Sequence, residues 1–222
     1  MRGKAELLRK RGLSVRQIEE QLKIPRSTLS GWLRNIRLSP AQKKVLNENC
    51  KEALVSARKR AVLWHKEQKG KRIDAARQGA LNFLNNIDVH RPEFQELALA
   101  VLYMAEGRKV AEETSLGSSD PLMLKFFLGS LKKLYGIDIN KISCSLHLRA
   151  DQSEEELRRF WSIELGLPLN KFKEVYKDNR TIGSKTYDGY KGVCSIRYGS
   201  IAIKRRLLFL SQLFCERLVM GS

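Results

Sequence analysis

Histidine and cysteine are scarce in this chain, and neither is grouped. Three histidines (His65, His90, His147) and four cysteines (Cys50, Cys144, Cys194, Cys215) lie far apart, without a C-x-x-C pair. A zinc site needs several such ligands converging from short spacings, so no zinc is expected. A disulfide framework is equally unsupported, and reduced, buried thiols are expected. No run approaches the roughly 20 apolar residues of a membrane-spanning helix. The opening MRGKAELLRKRG lacks the apolar stretch of a secretory signal. A soluble, cytoplasmic protein with no membrane partner is the expectation.

Acids are the other shortage. Against 42 Lys and Arg stand 24 Asp and Glu, a formal charge of +18. Such an excess points to a polyanionic partner. It is concentrated early. Residues 1–91 hold 22 basic against 8 acidic side chains, and residues 92–222 hold 20 against 16. Hydrophobic residues make up 42% of the chain, enough to bury a core.

Residues 4–37 read as short helices separated by turns. AELLRKRG ends at Gly12. Ser14 is a plausible cap for VRQIEEQL, with Ile18 and Leu22 on one face. RSTLSGWLRNI follows, with Leu29, Trp32, Leu33 and Ile36 on one side. Two short helices joined by a tight turn describe a helix-turn-helix. SVRQIEEQLKIPRSTLSGWLR resembles the helix-turn-helix of resolvases, invertases and many bacterial repressors, although Lys23 stands where that family usually has glycine. The resemblance implies a second helix in the major groove of double-stranded DNA, presenting Arg26, Ser27, Thr28, Ser30 and Arg34. The plainer alternative is a three-helix protein-binding module with a solvated basic face.

Ser39-Pro40 is a strong helix start. From there to about Asn86 the chain reads as one or two long basic helices, with Ala53, Ala57, Ala61 and Trp64 as a narrow seam. Such a segment is either a strut along DNA or a solvated linker. Three regions are therefore expected: a helix-turn-helix over 1–38, a basic helical linker over 39–91, and a further domain over 92–222.

In the last region helix and strand alternate. A helix over Leu97–Ala105 is followed by a strand over Glu113–Ser118. Asp120-Pro121 caps LMLKFFLGSLKKLYG, which ends at Gly136. ISCSLHLRA alternates cleanly, with Ser143, Ser145, His147 and Arg149 on its polar side. SEEE at 153–156 reads as a capping box. Strands over Phe172–Tyr176 and Val193–Tyr198 flank the polar loop DNRTIGSKTYDGYK, and Ser200 opens a final helix to about Leu218.

Within this order, LALAVLYMAEGRK (97–109) poses a problem. Nine apolar residues run into Glu106, then Gly107 reads as a left-handed C-cap. A carboxylate at the negative end of a helix costs a few tenths to about 1 kcal/mol. Arg108, Lys109 or a metal ion would offset it. Leu99-Ala100-Val101-Leu102-Tyr103-Met104-Ala105-Glu106-Gly107, together with the element order and the SSDP turn, resembles the LAGLIDADG homing-endonuclease family. Val101 departs from that family's glycine, and Met104 from a position often acidic.

The resemblance implies an α+β fold, αβαβαββα, with a mostly antiparallel saddle lying in the major groove. It implies homodimerisation, because only one motif is present. Glu106 from two protomers would then hold Mg2+, with Lys109 or Arg108 as the assisting basic residue near the scissile phosphate. His147, Arg149, Lys173, Lys177 and Arg197 on the strands, and Arg180 and Lys185 on the loop, are the expected DNA contacts. Both a magnesium-dependent endonuclease and a non-cleaving transcriptional regulator fit this resemblance. Pairing of Glu106 with Arg108 or Lys109 would leave the acid without a metal.

Overall fold

Helices α1 (Arg2–Lys10), α2 (Val15–Leu22) and α3 (Arg26–Leu33) pack around four buried residues, Ala5, Ile18, Leu29 and Leu33. Leu22, Trp32 and Ile36 close this small core from its edges, so the faces expected from helical spacing are the faces used. Ser14 builds a full capping box: its hydroxyl accepts from the Gln17 amide, and the Gln17 side chain accepts from the Ser14 amide. Lys23 ends α2 with φ +55°, and no other non-glycine among the described residues has a positive φ. The strain is accepted because the turn between α2 and α3 demands it. The computed structural model describes residues 1–221.

Segment 39–91 is a single helix over most of its length. Ser39 and Gln42 form a second capping box, and α4 runs unbroken from Pro40 to Asn85, 46 residues. Gly70 and Gly79 do not interrupt it, since an interior glycine costs a helix only about 1 kcal/mol. No residue of α4 is buried. The expected alanine–tryptophan seam is therefore not buried: Ala53 and Ala57 border a recess beside α2, and Trp64 stands 55% exposed. Helices α1 to α4 form one compact unit, Met1–Asn86, and a second begins at Ile87. α4 lies in the first of these two units.

The second unit has the expected order: α5 (Pro92–Glu106), β1 (Thr114–Ser118), α6 (Pro121–Tyr135), β2 (Ile142–Arg149), α7 (Glu154–Leu165), β3 (Phe172–Asp178), β4 (Val193–Tyr198) and α8 (Ile201–Met220). Asp120, Ser153 and Ser200 accept from backbone amides at the starts of α6, α7 and α8. At Ser153 only this half of the expected capping box forms. The protein is thus α+β, with one four-stranded sheet in the order β1-β4-β2-β3. β4 pairs antiparallel with both β1 and β2, while β2 and β3 run parallel. Parallel neighbours need a crossover, which α7 supplies.

Alternation sorts the sheet into two faces. Leu116, Ile142, Cys144, Leu146, Leu148, Phe172, Cys194 and Ile196 join one continuous core with residues of α5 to α8, among them Leu99, Tyr103, Phe127, Leu131, Trp161 and Leu207. Cys144 and Cys194 are buried thiols, as expected. Cys50 is exposed and Cys215 half-buried, because neither helix encloses them.

Candidate nucleic-acid interface

Three surfaces hold the residues singled out from the sequence. The first is α3. Arg26, Ser27, Thr28 and Ser30 of α3, and Arg34 at its C-cap, are all exposed around the buried Leu29 and Leu33. Glu19 of α2 accepts from the Arg26 amide at 3.0 Å, capping α3 where Pro25 cannot. The same bond holds α2 and α3 in register, so the polar row is presented on a braced helix.

The second surface is the polar face of the sheet. Registers place its side chains in rows: Arg197 between Ser115 and Ser143, Ser195 between Gly117 and Ser145, then Glu174 beside Ser145, Tyr176 beside His147, and Asp178 beside Arg149. Of the expected contacts, His147, Arg149 and Arg197 therefore share this face. Lys173 does not join them, and Lys177 alternates away from them although it reaches the rim of a recess on this face. Lys173 falls in the irregularity where the β2–β3 register shifts, and Lys177 stands opposite the buried Leu148. A β-bulge of this kind reverses which side chains alternate outward, and nothing in the spacing of FKEVYKD announces it.

Several of these cations are already engaged. The Arg197 guanidinium lies 2.7 Å from Glu174, whose carboxyl is held below its usual range by that hydrogen bond and by one from Tyr176. Arg180 forms a two-bonded pair with Asp178 at 2.9 and 3.0 Å. Lys185 is exposed. Arg149 donates to the Ser184 hydroxyl at 2.6 Å.

Two recesses open on this face and share His147 and Tyr176. The smaller, about 230 Å³, is bordered by Arg108, Ser115, Ser145, Glu174, Ser195 and Arg197. Within it Ser115 Oγ and Arg197 Nε have no hydrogen-bond partner among the described residues. Buried polar atoms normally find partners, so unpaired ones mark a place prepared for a polar ligand or water. The larger, about 490 Å³, is walled by the 179–192 loop. That loop is tied down. Thr181 accepts from the Ala150 amide, Asp151 accepts from the Thr186 amide, Gln152 donates to the Tyr190 carbonyl, and Trp161 donates to the Lys191 carbonyl.

The third surface is the end of α5. Glu106 is exposed, and no ion pair joins it to Arg108 or Lys109 among the described residues. Gly107 is not a left-handed cap. Its φ of −69° and ψ of +145° are extended, and it bridges to Leu116 at the edge of β1. The glycine answers a different need: a β-carbon there would lie 2.4 Å from the Tyr103 carbonyl oxygen and 2.7 Å from the Tyr103 ring. Arg108 then borders the small recess, whereas Lys109 does not. Among the described residues, no three His, Cys, Asp or Glu side chains gather as a metal site. Glu106 therefore belongs to no such three-ligand group.

Compared with known proteins, the chain matches no family model, no curated protein and no solved structure. Its chemistry must be argued from its own side chains. Lys204 is one that the sequence does not single out. It is 8% exposed, and its Nζ donates to the carbonyls of Lys109 and Ala111, pinning the segment that follows Glu106. Tyr187 and Tyr190 are others: TYDGY reads as loop, and only the fold turns both rings toward one recess.

Proposed function

We propose that the protein binds double-stranded DNA sequence-specifically through its helix-turn-helix, and that its second unit is a LAGLIDADG-like domain contacting the same DNA. The observation that carries this is α3: a short, braced helix whose outward residues are Arg26, Ser27, Thr28, Ser30 and Arg34, in the most basic part of the chain. Hydroxyls and guanidinium groups at that spacing reach base edges and flanking phosphates. The polar sheet face adds His147, Arg149 and Arg108 as further donors.

A second reading, cleavage, is favoured by Glu106. A carboxylate at a helix C-terminus that forms no ion pair among the described residues is poorly placed unless a cation joins it. Two protomers, each contributing Glu106, would supply the two oxygen donors from which a magnesium site begins. A metal bound there would neutralise phosphate charge and acidify a water for attack. Around it, Arg108 orients the phosphate, and Lys204 keeps the segment after Glu106 in place. Without that dimer the protein acts as a non-cleaving regulator, since a single exposed carboxylate would leave the ion to waters and phosphate for most of its shell.

Selection of bound and cleaved DNA from a random duplex library, with and without magnesium, tests both readings. An enriched sequence motif is expected. Enrichment with no cleaved fraction in magnesium or manganese assigns the regulator. Absence of any enriched sequence removes sequence-specific binding.

A further inference from the structure

The larger recess on the polar sheet face has a chemistry that duplex binding does not require. Two aromatic pairs border it. His147 and Tyr176 lie with ring centroids 5.0 Å apart and planes 22° from parallel, and Tyr187 and Tyr190 lie 5.0 Å apart at 37°. Its volume of about 490 Å³ lies within the range of small-ligand pockets, about 300–1,000 Å³. Duplex DNA offers a pocket of that depth only phosphates and base edges. Rings serve little purpose there, because the base faces are stacked on one another.

The charges point to a nucleotide rather than to a neutral ring. Arg149 borders the recess, its guanidinium held there by the Ser184 hydroxyl, and Lys177 borders it too. The nearby acids are spoken for: Asp178 is paired with Arg180, and Asp151 accepts from both the amide and hydroxyl of Thr186. Net positive charge beside exposed ring faces is the arrangement by which proteins hold unstacked bases. The walls are also preformed. Gly192 lets β4 start against β2, since a β-carbon there would meet Leu148 at 2.5 Å and the His147 carbonyl at 2.8 Å. The Tyr190 carbonyl is held by Gln152 at 2.8 Å.

We infer that this recess seats one unstacked nucleotide of a nucleic-acid strand, its base against the tyrosine and histidine rings and its phosphate on Arg149. The inference rests on the DNA-binding reading and narrows it: the preferred substrate carries a locally unpaired or extruded base. Leaving the stack is least costly where pairing is already absent.

The experiment uses the full chain and three probes: a duplex with a short central bubble carrying 2-aminopurine, the fully paired duplex of the same length, and free 2-aminopurine ribonucleoside monophosphate. The wild type binds the bubble more tightly than the paired duplex, and the 2-aminopurine emission is quenched by stacking. The double variant Y187A/Y190A loses the quenching and weakens bubble binding about tenfold, with less than twofold change on the paired duplex. The conservative Y187F/Y190F variant retains both, which separates loss of the rings from damage to the loop. Equal weakening on bubble and duplex overturns the inference, as does a wild type without preference for the bubble. Free nucleotide binding as tightly as the strand also overturns it, because the occupant is then a soluble ligand. Failure of the paired duplex alone, with the bubble still bound and quenched, upholds the pocket and overturns the duplex reading instead.

Discussion

Gly107 lies against Tyr103 so closely that a β-carbon would fall 2.4 Å from the tyrosine's carbonyl oxygen. The Tyr103 hydroxyl in turn donates to the Arg108 carbonyl at 3.1 Å and accepts from the Ser115 amide at 3.3 Å. One tyrosine thereby joins the last turn of α5 to the edge of β1 and sets where Glu106 emerges. Gly107→Ala must displace backbone, a form of overpacking that costs about 2 kcal/mol. Thermal unfolding is expected to show a fall of several degrees. Gly79→Ala serves as the control. Its β-carbon meets nothing within 4 Å in mid-helix, so that variant gains up to about 1 kcal/mol. Equal behaviour of the two variants would show that contact with Tyr103 is not what requires glycine.

Acid sensitivity should centre on Glu96. Its carboxylate accepts from Arg206 of α8 and from the Tyr135 hydroxyl of α6, tying three helices together. The Arg206 guanidinium is the main reason its pKa lies below the ordinary 4.5; partial burial opposes this, and Tyr135 assists. A depressed carboxyl contributes stability at pH values above its unfolded pKa and loses it as pH falls through the folded value. Glu96→Gln should therefore destabilise the protein at pH 7 and match the wild type in strong acid. Because the Arg206 side chain is 62% exposed, the difference at neutral pH is about 1 kcal/mol rather than more. Urea titrations over a descending series from pH 7 into strong acid measure it, and a gap that does not shrink anywhere along the series would rule out ionisation as its source.

The turn of the helix-turn-helix holds removable strain. Lys23 occupies a left-handed conformation, φ +55°, that glycine adopts freely. Lys23→Gly should raise the stability of the N-terminal unit by about 1 kcal/mol, and leave α3 and its DNA contacts unchanged. Circular dichroism melts of the full chain report the gain. A loss of stability would mean that the lysine side chain contributes more than its backbone costs.

Local signals in the sequence carried most of the fold. Ser14 before VRQIEEQL and Ser39 with Pro40 marked helix starts, the spacing of Leu29, Trp32 and Leu33 marked a buried face, and the alternation of ISCSLHLRA marked β2. Each depends on neighbours within one or two turns. What escaped depends on pairing between distant segments. The parallel alignment of β2 with β3, the register shift that moves Lys173 and Lys177 off the polar face, and the clash that explains Gly107 are all set by residues far apart in the chain. The site divides the same way. The exposed polar residues of α3 and its C-cap, Arg26 to Arg34, were legible, because a helix fixes which side chains it buries. The pairing of Arg197 with Glu174, the anchoring by Lys204 and the convergence of Tyr187 with His147 were not.

Binding to a duplex should depend strongly on salt, and the slope should identify which arginines touch phosphate. Each phosphate neutralised releases counterions, so log affinity falls against log salt with a slope of about −0.9 per contact. Arg26 and Arg34 stand at the two ends of the exposed row on α3, where backbone contacts are expected, and Thr28 and Ser30 lie between them. Arg26→Gln and Arg34→Gln should each reduce the slope by about one unit and weaken specific and random duplexes alike. Ser30→Ala should leave the slope intact and narrow the difference between the selected sequence and random DNA. Fluorescence anisotropy across a salt series, with both duplexes, separates the two behaviours. If Ser30→Ala alters the slope and the arginine variants alter only specificity, the assignment along α3 is reversed, with hydroxyls gripping the backbone and guanidinium groups reading bases.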